Sequence, residues 1–534
     1  MIRALTLALM LATVPATANQ PAIRALPMET MGMAGEAPAP ETPVSGILRL
    51  GAITGGGFQK IVDLEGSADK PELAVRALPD MEIALVSDGH DLIPVVRGIR
   101  EAAHPYWDYI VEPGKTWLIE QGETVLSLPF ALIEKNANCI HNGVLMAWTG
   151  KDGAVARARV QIASETCLYF KFNLWAEAEA DWQADPVAGE AAIARWHEEK
   201  AAALPVRPAA ALSGVDLAQA ALILPGDMTA YGAVVDGVHY TGGCATRFGA
   251  YPYCDVMPVP SYSFAKTLVG GLGLMRLEAF VPGAREKLLT DLLPECEAYE
   301  GVTLGHLLDM ATGHYRSAKA EADEAAADYL PFFLAATAAE KTAFACGHFP
   351  RRTGPGKHFS YHTSDTWLLG VAMQALWRQH TGEPDADFYA DLMVPLWRKL
   401  GLSALAETTR RLEGIPFTGY GLVLHAGDIA KLAHLMAAGD KQLAPALPQG
   451  AGLPAGDKSL RYARGFWQWD AGSAFGCRQS VWLPFLSGYG GLSAVLLPDG
   501  GAYYYISDSG VHRFAGPVMA LANKAEICGG TGDE

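Results

Sequence analysis

Short apolar runs alternate with polar and turn-forming residues between about positions 45 and 180. The runs are rich in β-branched and aromatic residues, and Gly, Asp and Asn separate them, as in "TWLIEQGETVLSLPFALI" and "ARVQIASETCLYFKFNLW". This pattern is typical of antiparallel strands. It predicts a β-rich N-terminal domain that covers residues 45–205 and ends in a helical linker, the Ala- and Pro-rich stretch 184–213. We expect residues 19–44 to form an extended or disordered lead-in.

Longer periods follow the predicted boundary near residue 205. Asp236-Gly237 is a hairpin turn signal inside "AYGAVVDGVHYTGG", and two strand patterns close the chain in "GLSAVLLPDGGAYYYISDS". Between them, apolar residues recur at helical spacing in "TLGHLLDMATG", "DTWLLGVAMQALWRQH", "DADFYADLMVPLWRKL" and "AGDIAKLAHLMAAGD". Strands on both sides of a helical middle predict a mixed domain over 206–534, with one sheet built from both ends of that stretch.

The first 18 residues have the layout of a secretory signal. The stretch "MIRALTLALMLATVPATANQ" contains one arginine, a short apolar run and the small residues of Ala16-Thr17-Ala18. We expect cleavage after Ala18 and export to the periplasm, and a buried helix that begins the first domain is the alternative. No later stretch is long and charge-free enough to predict a transmembrane helix.

Charge and cysteine content restrict the possible partners and cofactors. The formal net charge of −17 argues against a nucleic-acid partner, because phosphate binding depends on clustered Lys and Arg. An even number of cysteines, eight, favours disulfides in an exported chain, and we expect Cys244 to pair with Cys254 across a short loop. No Cys-x-x-Cys spacing points to a metal, and the sequence implies no metal or organic cofactor.

A serine and a lysine three positions apart open an apolar run in "VPSYSFAKTLVGGLG". On a helix, Lys266 would lie one turn behind the hydroxyl of Ser263, where burial and the helix N-terminus would lower the pKa of the lysine enough for it to act as a base. A capping serine beside an outward-pointing lysine is the plainer alternative. Ser67 and Lys70 have the same spacing in the polar stretch "EGSADKPE", where we expect both side chains to be solvated.

Four stretches in order resemble the serine β-lactamase and penicillin-binding-protein superfamily, in its class C and esterase-like branch. They are "PSYSFAKTLVGG", "VTLGHLLDMATGHY" with Thr312-Gly313 at its end, "GPGKHFSYHTSDTWLLG" and "YGLVLHAGDIAKLAHLM". The resemblance covers about residues 215–534. It implies an α+β fold in which a β-lactamase/transpeptidase-like domain, an antiparallel sheet flanked by helices plus a helical subdomain, follows the β-rich N-terminal domain.

The resemblance implies Ser263 as nucleophile, Lys266 as base and Tyr361 as proton relay. The backbone N–H groups of Ser263 and Tyr489 would form the oxyanion hole. Further residues are candidates for substrate binding: Tyr262, His314, His362, Ser487 and Gly488. A histidine is more often structural, and an aromatic residue is more often part of the core.

The third family motif departs from its usual Lys-Thr-Gly or His-x-Gly form. Leu486-Ser487-Gly488 aligns there in "FLSGYGGLSAVLLPDG", and Tyr489-Gly490-Gly491 is the second choice of alignment. The missing cation argues against penicillins and peptidoglycan stems, because in the family that cation helps to bind a substrate carboxylate. The same loss is familiar in the branch that resembles 6-aminohexanoate-oligomer hydrolases.

The sequence therefore predicts an exported serine hydrolase that cleaves a small-molecule ester or amide. A β-lactamase or D,D-peptidase, and a non-catalytic binding protein that keeps the fold, are the alternatives.

Overall fold

The computed structural model describes residues 23–529 except 121, 136, 151–153, 225–228, 444–449 and 523. Two large sheets and a helical region make up this part of the chain. The expected α+β class is confirmed, since antiparallel strands dominate both sheets and most of the helices lie between strands of the second. The proposed signal residues 1–18 lie outside the described ranges.

The first sheet closes on itself. Its strands are β1 (Ser45–Asp63), β2 (Met81–Asp88), β3 (Asp91–Pro94), β4 (Trp107–Val111), β5 (Gly114–Leu118), β6 (Thr124–Glu134), β7 (Ile140–Thr149), β8 (Val155–Thr166) and β9 (Phe170–Gln183). β6 pairs with β4 and β5 on one side and with β7 on the other, and β1 pairs with both β2 and β9. The result is an antiparallel barrel without a free edge on that circuit, filled by buried side chains such as Trp107, Phe170 and Phe172.

The second sheet joins distant parts of the chain. It contains β10 (Val206–Pro208), β11 (Thr229–Val235), β12 (Val238–Gly243), β19 (Leu453–Pro454), β20 (Leu460–Ala463), β21 (Phe466–Asp470), β22 (Trp482–Gly488), β23 (Leu492–Leu496) and β24 (Ala502–Ser507). β11 pairs with β12 across Asp236-Gly237, and both turn residues have positive φ, as a tight hairpin turn requires. β11 also pairs with β24, so the sheet is built from both ends of this stretch, as predicted.

Two-residue strands tie loops together in pairs: β13 (Ala245–Thr246) with β14 (Gly249–Ala250), β15 (Val259–Pro260) with β18 (Val423–Leu424), and β16 (Arg411–Leu412) with β17 (Ile415–Pro416). The β15–β18 pair matters most, because it brings the segment that leads into Ser263 beside the segment that follows Gly419.

The α-helices are α1 (Glu190–Ala202), α2 (Leu217–Ala220), α3 (Leu272–Phe280), α4 (Leu289–Leu292), α5 (Leu304–Leu308), α6 (Leu330–Leu334), α7 (Ala338–Gly347), α8 (Thr363–Thr381), α9 (Val394–Lys399), α10 (Ala426–Ala437), α11 (Gly472–Phe475), α12 (Ala515–Leu521) and α13 (Lys524–Ile527). π-helical turns at Lys266–Gly271 and Tyr389–Met393 lead into α3 and α9. The four stretches with helical periodicity contain α5, α8, α9 and α10. None of the helices in the described ranges is long and apolar enough to cross a membrane.

The lead-in segment contacts the first sheet. From residue 23 onward it packs on the barrel, with Met28 and Met31 completely buried and a short 3-10 turn between them. Gln161 hydrogen-bonds both the N–H and the carbonyl of Leu26. Burial of the two methionines supplies the apolar contact between this segment and the rest of the fold.

The eight cysteines form four disulfides: Cys139–Cys167, Cys244–Cys254, Cys296–Cys346 and Cys477–Cys528. The predicted Cys244–Cys254 pair is confirmed. Four disulfides are typical of proteins that fold outside the cytosol.

Arg247, inside the Cys244–Cys254 loop, joins this loop to the barrel. Its guanidinium binds both carboxylate oxygens of Glu165 at 2.6 and 2.7 Å, and it also donates to Asn173 Oδ1 and to the carbonyl of Phe172. Glu165 is completely buried, so Arg247 supplies both its counter-charge and its hydrogen bonds.

We expect Arg247→Ala to lower the free energy of unfolding by roughly 3–5 kcal/mol, because it leaves the Glu165 carboxylate buried without a partner. Denaturant unfolding at neutral pH measures the loss. Arg157→Ala is the control, since its 3.6 Å pair with Glu123 is largely exposed and should matter by less than about 1 kcal/mol. Equal losses in the two variants would contradict the anchoring role of Arg247.

Candidate active site

Ser263 lies in a turn that the preceding residue can adopt only with strain. Tyr262 has a φ of 39°, which is rare for a bulky residue, and the N–H of Ser261 is bonded to the carbonyl of Leu422 at 2.8 Å. The chain then enters a helical turn, in which Lys266 N–H bonds to the carbonyl of Ser263 at 3.1 Å. Ser263 is partly exposed, whereas Lys266 is 1% exposed. Strained backbone conformations of this kind concentrate at functional sites.

The ammonium group of Lys266 has three hydrogen-bond partners. Its Nζ lies 3.1 Å from Ser263 Oγ, 3.0 Å from Thr363 Oγ1 and 3.0 Å from the carbonyl oxygen of Gly419. Burial lowers the pKa of Lys266 to about 8, and the charge of Glu324 acts in the opposite direction. A substantial fraction of Lys266 is therefore neutral near pH 8.

Thr363 connects Lys266 to a carboxylate. It is the first residue of α8, where its N–H donates to Glu324 Oε2 at 2.8 Å and its hydroxyl donates to Glu324 Oε1. Because that hydroxyl donates to Glu324, it can only accept from Lys266. A carboxylate at a helix N-terminus is also favoured by the helix dipole.

Tyr361 lies two residues before Thr363. Lys266 Nζ is 5.0 Å from the centre of the Tyr361 ring, and the Tyr361 N–H is bonded to the carbonyl of Ala320 at 2.7 Å. Burial and the charge of Glu324 raise the pKa of Tyr361 well above 10, while a hydrogen bond with Ser263 acts against them. Tyr361 is therefore a neutral phenol at any physiological pH.

The end of β22 lies beside the Ser263 turn. A methyl group built on Gly488 would be 3.2 Å from the carbonyl oxygen of Ser261 and 3.4 Å from Cβ of Tyr262. Leu486-Ser487-Gly488 is therefore the strand segment that meets the turn, whereas Tyr489-Gly490-Gly491 lies in the turn between β22 and β23. No backbone hydrogen bond within the described ranges uses the N–H of Ser263 or Tyr489 as donor, which leaves both groups available.

Three of the candidate substrate-binding residues are buried. His362 is completely enclosed, stacks on Phe349 and bonds Asp323 at 3.2 Å; burial opposes its charge, but Asp323 and Asp365 raise its pKa to about 9. His314 is 2% exposed and stacks on Tyr299. Tyr262 points into the barrel side of the turn, where its hydroxyl donates to the carbonyl of Thr166 at 3.0 Å. Ser487 is partly exposed, and Gly488 is buried.

Ser67 and Lys70 differ from Ser263 and Lys266 in an unexpected way. Ser67 is buried rather than solvated, because Asp63 caps its short 3-10 turn through the N–H of Ser67 at 2.8 Å. Lys70 is exposed, as predicted. Ser67 therefore lacks a buried lysine such as the one that lies beside Ser263.

The sequence predictions missed Thr363 and Gly419, which bind Lys266, and Glu324, which binds Thr363. Thr363 lies two residues after Tyr361, so its spacing from Tyr361 could have identified it. Glu324 lies in the alanine-rich stretch "KAEADEAAADYL", where the sequence gives no signal. Among the described residues no group of three or more His, Cys, Asp or Glu side chains is arranged to hold a metal ion.

No protein-family model matches the chain, and no curated protein is similar to it. Solved structures are similar in fold. They include a putative 6-aminohexanoate-dimer hydrolase from Bacillus anthracis (17% identity, TM-score 0.41, 55% of this chain and 77% of that chain), a penicillin-binding-protein homologue from Caulobacter crescentus (14%, 0.40, 61% and 95%) and a D-stereospecific amidohydrolase from Streptomyces (15%, 0.41, 59% and 100%). At these values the likeness is one of fold, and the activities in those names are those proteins' own.

Lys266 should titrate near pH 8, and Glu324→Gln should move its pKa lower, because the substitution removes a negative charge that favours the ammonium form. The Cε resonances of 13C-labelled lysines report this titration, with Lys266→Met used for assignment. Lys341 is an internal control: burial alone lowers its pKa to about 7, so Glu324→Gln should leave it unchanged. Titration of Lys266 near 10, or the same pKa in both proteins, would contradict this account of the site.

Proposed function

We propose that the protein is an exported serine hydrolase that cleaves an ester or amide bond through an acyl-enzyme on Ser263. The observation that carries the proposal is the buried contact of 3.1 Å between Lys266 Nζ and Ser263 Oγ. An alcohol is a weak nucleophile until a base removes its proton, and a lysine of lowered pKa can do so.

The hydrogen-bond partners of Lys266 support a base whose lone pair points in a defined direction. A neutral amine has two N–H donors and one lone pair. The carbonyl of Gly419 and the hydroxyl of Thr363 both act as acceptors, so they engage the two N–H groups. The lone pair then faces Ser263 Oγ, whose hydroxyl is the remaining partner and donates to it.

The acylation step follows from this arrangement. Ser263 Oγ attacks the carbonyl carbon of the substrate, its proton passes to Lys266 Nζ, and the negative charge develops on the carbonyl oxygen. The free N–H groups of Ser263 and Tyr489 would donate to that oxygen. The bond from the carbonyl carbon to the leaving oxygen or nitrogen then breaks, and the leaving group takes up the proton.

Tyr361 suits the return of the proton. Its raised pKa keeps it protonated, so its hydroxyl can donate to the leaving group while it accepts the proton held by Lys266. Water then attacks the acyl group by the reverse route and releases a carboxylic acid and free Ser263. These steps use side chains and backbone groups of this chain.

The third motif and the disulfides bear on substrate and compartment. Leu486 stands where relatives in the family carry a cation, which favours neutral acyl esters or amides over substrates that carry a carboxylate next to the reactive bond. Four disulfides and the apolar N-terminus support export, with cleavage after Ala18.

A fluorophosphonate should add once to the folded protein, because it reacts with a serine that a neighbouring base activates. Intact-mass spectrometry of wild type, Ser263→Ala and Ser67→Ala measures the adduct. We expect it in wild type and Ser67→Ala and not in Ser263→Ala.

The absence of an adduct from folded wild type would contradict the proposal and favour a non-catalytic binding protein. Turnover of short acyl esters without acylation by a chromogenic cephalosporin supports the esterase or amidase assignment. Rapid acylation by the cephalosporin would instead indicate a β-lactamase or D,D-peptidase.

A further inference from the structure

Asn138 belongs to the barrel, in the hairpin between β6 and β7, but it lies against the Ser263 turn. It is 2% exposed. Its Oδ1 accepts hydrogen bonds from the N–H of Tyr262 at 2.7 Å, from the N–H of Gly421 at 3.1 Å and from Ser261 Oγ at 3.4 Å. One amide oxygen of the first sheet thus binds two separate loops of the second half of the chain.

The first loop leads directly into Ser263 and Lys266, and the second carries a carbonyl that binds Lys266. Tyr262 directly precedes Ser263 and has the strained φ of 39°. Gly421 lies two residues after Gly419, whose carbonyl accepts from Lys266 Nζ at 3.0 Å. A shift of the first loop would move Ser263, and a shift of the second would move a hydrogen-bond partner of the Lys266 amine, so Asn138 affects how both reacting groups are held.

The barrel holds Tyr262 at a second point. The Tyr262 hydroxyl donates to the carbonyl of Thr166 at 3.0 Å, at the end of β8. The disulfide Cys139–Cys167 fastens the chain next to Asn138 to the chain next to Thr166. The backbone and the ring of Tyr262 are therefore both bonded to one disulfide-linked corner of the barrel, which is the kind of support that a strained residue requires.

The amide nitrogen of Asn138 also bears on why an asparagine occupies this position. Nδ2 is buried and has no hydrogen-bond partner among the described residues. A buried donor without a partner destabilises a protein, so packing alone gives no reason for an asparagine at this position. The carbonyl half of the amide is the part that the structure uses.

We infer that Asn138 is a positioning residue for acyl transfer, through which the barrel holds Ser263 and Lys266 at reacting distance. The inference rests on the proposed function and assigns the first domain a part in it. Catalytic geometry is sensitive to displacements of about 1 Å, so loss of the Asn138 oxygen should slow acylation even though Asn138 touches no reacting atom.

The test is the second-order rate constant for fluorophosphonate labelling of Ser263, measured well below the unfolding temperature of each variant. We expect Asn138→Ala to lower it by about 10- to 100-fold. Asn138→Asp should recover most of the rate, because a carboxylate oxygen accepts the same hydrogen bonds and the lost Nδ2 has no partner. Asn138→Gln keeps the amide but displaces its oxygen, so it should also be slow, and it serves if Asn138→Ala does not fold.

Asn142→Ala is the matched control. Asn142 is a buried asparagine on β7 whose Nδ2 donates to the carbonyl of Pro258 at 3.0 Å, which is a contact between the same two parts of the chain that does not reach Tyr262 or Gly421. It should label within about twofold of wild type.

Three results would overturn the inference. Labelling of Asn138→Ala or Asn138→Gln at the wild-type rate would do so alone, and equal slowing in Asn142→Ala would assign the effect to general loosening of the interface. Absence of labelling in wild type would overturn the proposed function and the inference with it, so the two failures are distinguishable.

Discussion

The candidate site depends on the burial of one amine. Lys266 has almost no contact with water, and no carboxylate in the described ranges bonds its Nζ directly, so desolvation outweighs the charge of Glu324 and the pKa falls to about 8. Glu324 acts on Lys266 indirectly, because it binds the Thr363 hydroxyl that in turn accepts from Lys266. A carboxylate bonded directly to Lys266 would stabilise the ammonium form. Without Glu324, the Thr363 hydroxyl would not be held as an acceptor for Lys266, and the lone pair of the amine would have no fixed direction. The intermediate arrangement leaves the amine both partly neutral and oriented toward Ser263.

Three loops and the first sheet hold this amine in place. The Ser263 turn, the start of α8 and the segment 419–421 each supply one contact to Lys266 or Ser263, and the short β15–β18 pair keeps the first and third of these loops adjacent. The barrel then binds the same two loops through Asn138. The interface between the sheets is therefore close to the reacting atoms. Arg247 also contributes to this interface, through its bond with Glu165.

Features that depend on neighbouring residues could be predicted from the sequence, whereas contacts between residues far apart in the chain could not. The Asp236-Gly237 hairpin, helix α8 and the Ser263–Lys266 spacing depend on neighbours in the chain, and all three have the predicted geometry. Glu324 and Asn138 could not be predicted, because each acts on residues far along the chain and neither lies in a recognisable motif. Ser67 was misjudged, because the polar composition of its stretch predicts exposure, whereas the side chain is buried.

The central claim is that a neutral Lys266 drives formation of an acyl-enzyme on Ser263. Rapid mixing of the protein with a chromogenic acyl ester tests it most directly. We expect a burst of about one alcohol per chain whose rate rises with pH through about 8, because the neutral fraction of Lys266 rises there, and which is lost in Lys266→Met. Alcohol release without a burst and at the same rate in wild type and Lys266→Met would contradict the claim.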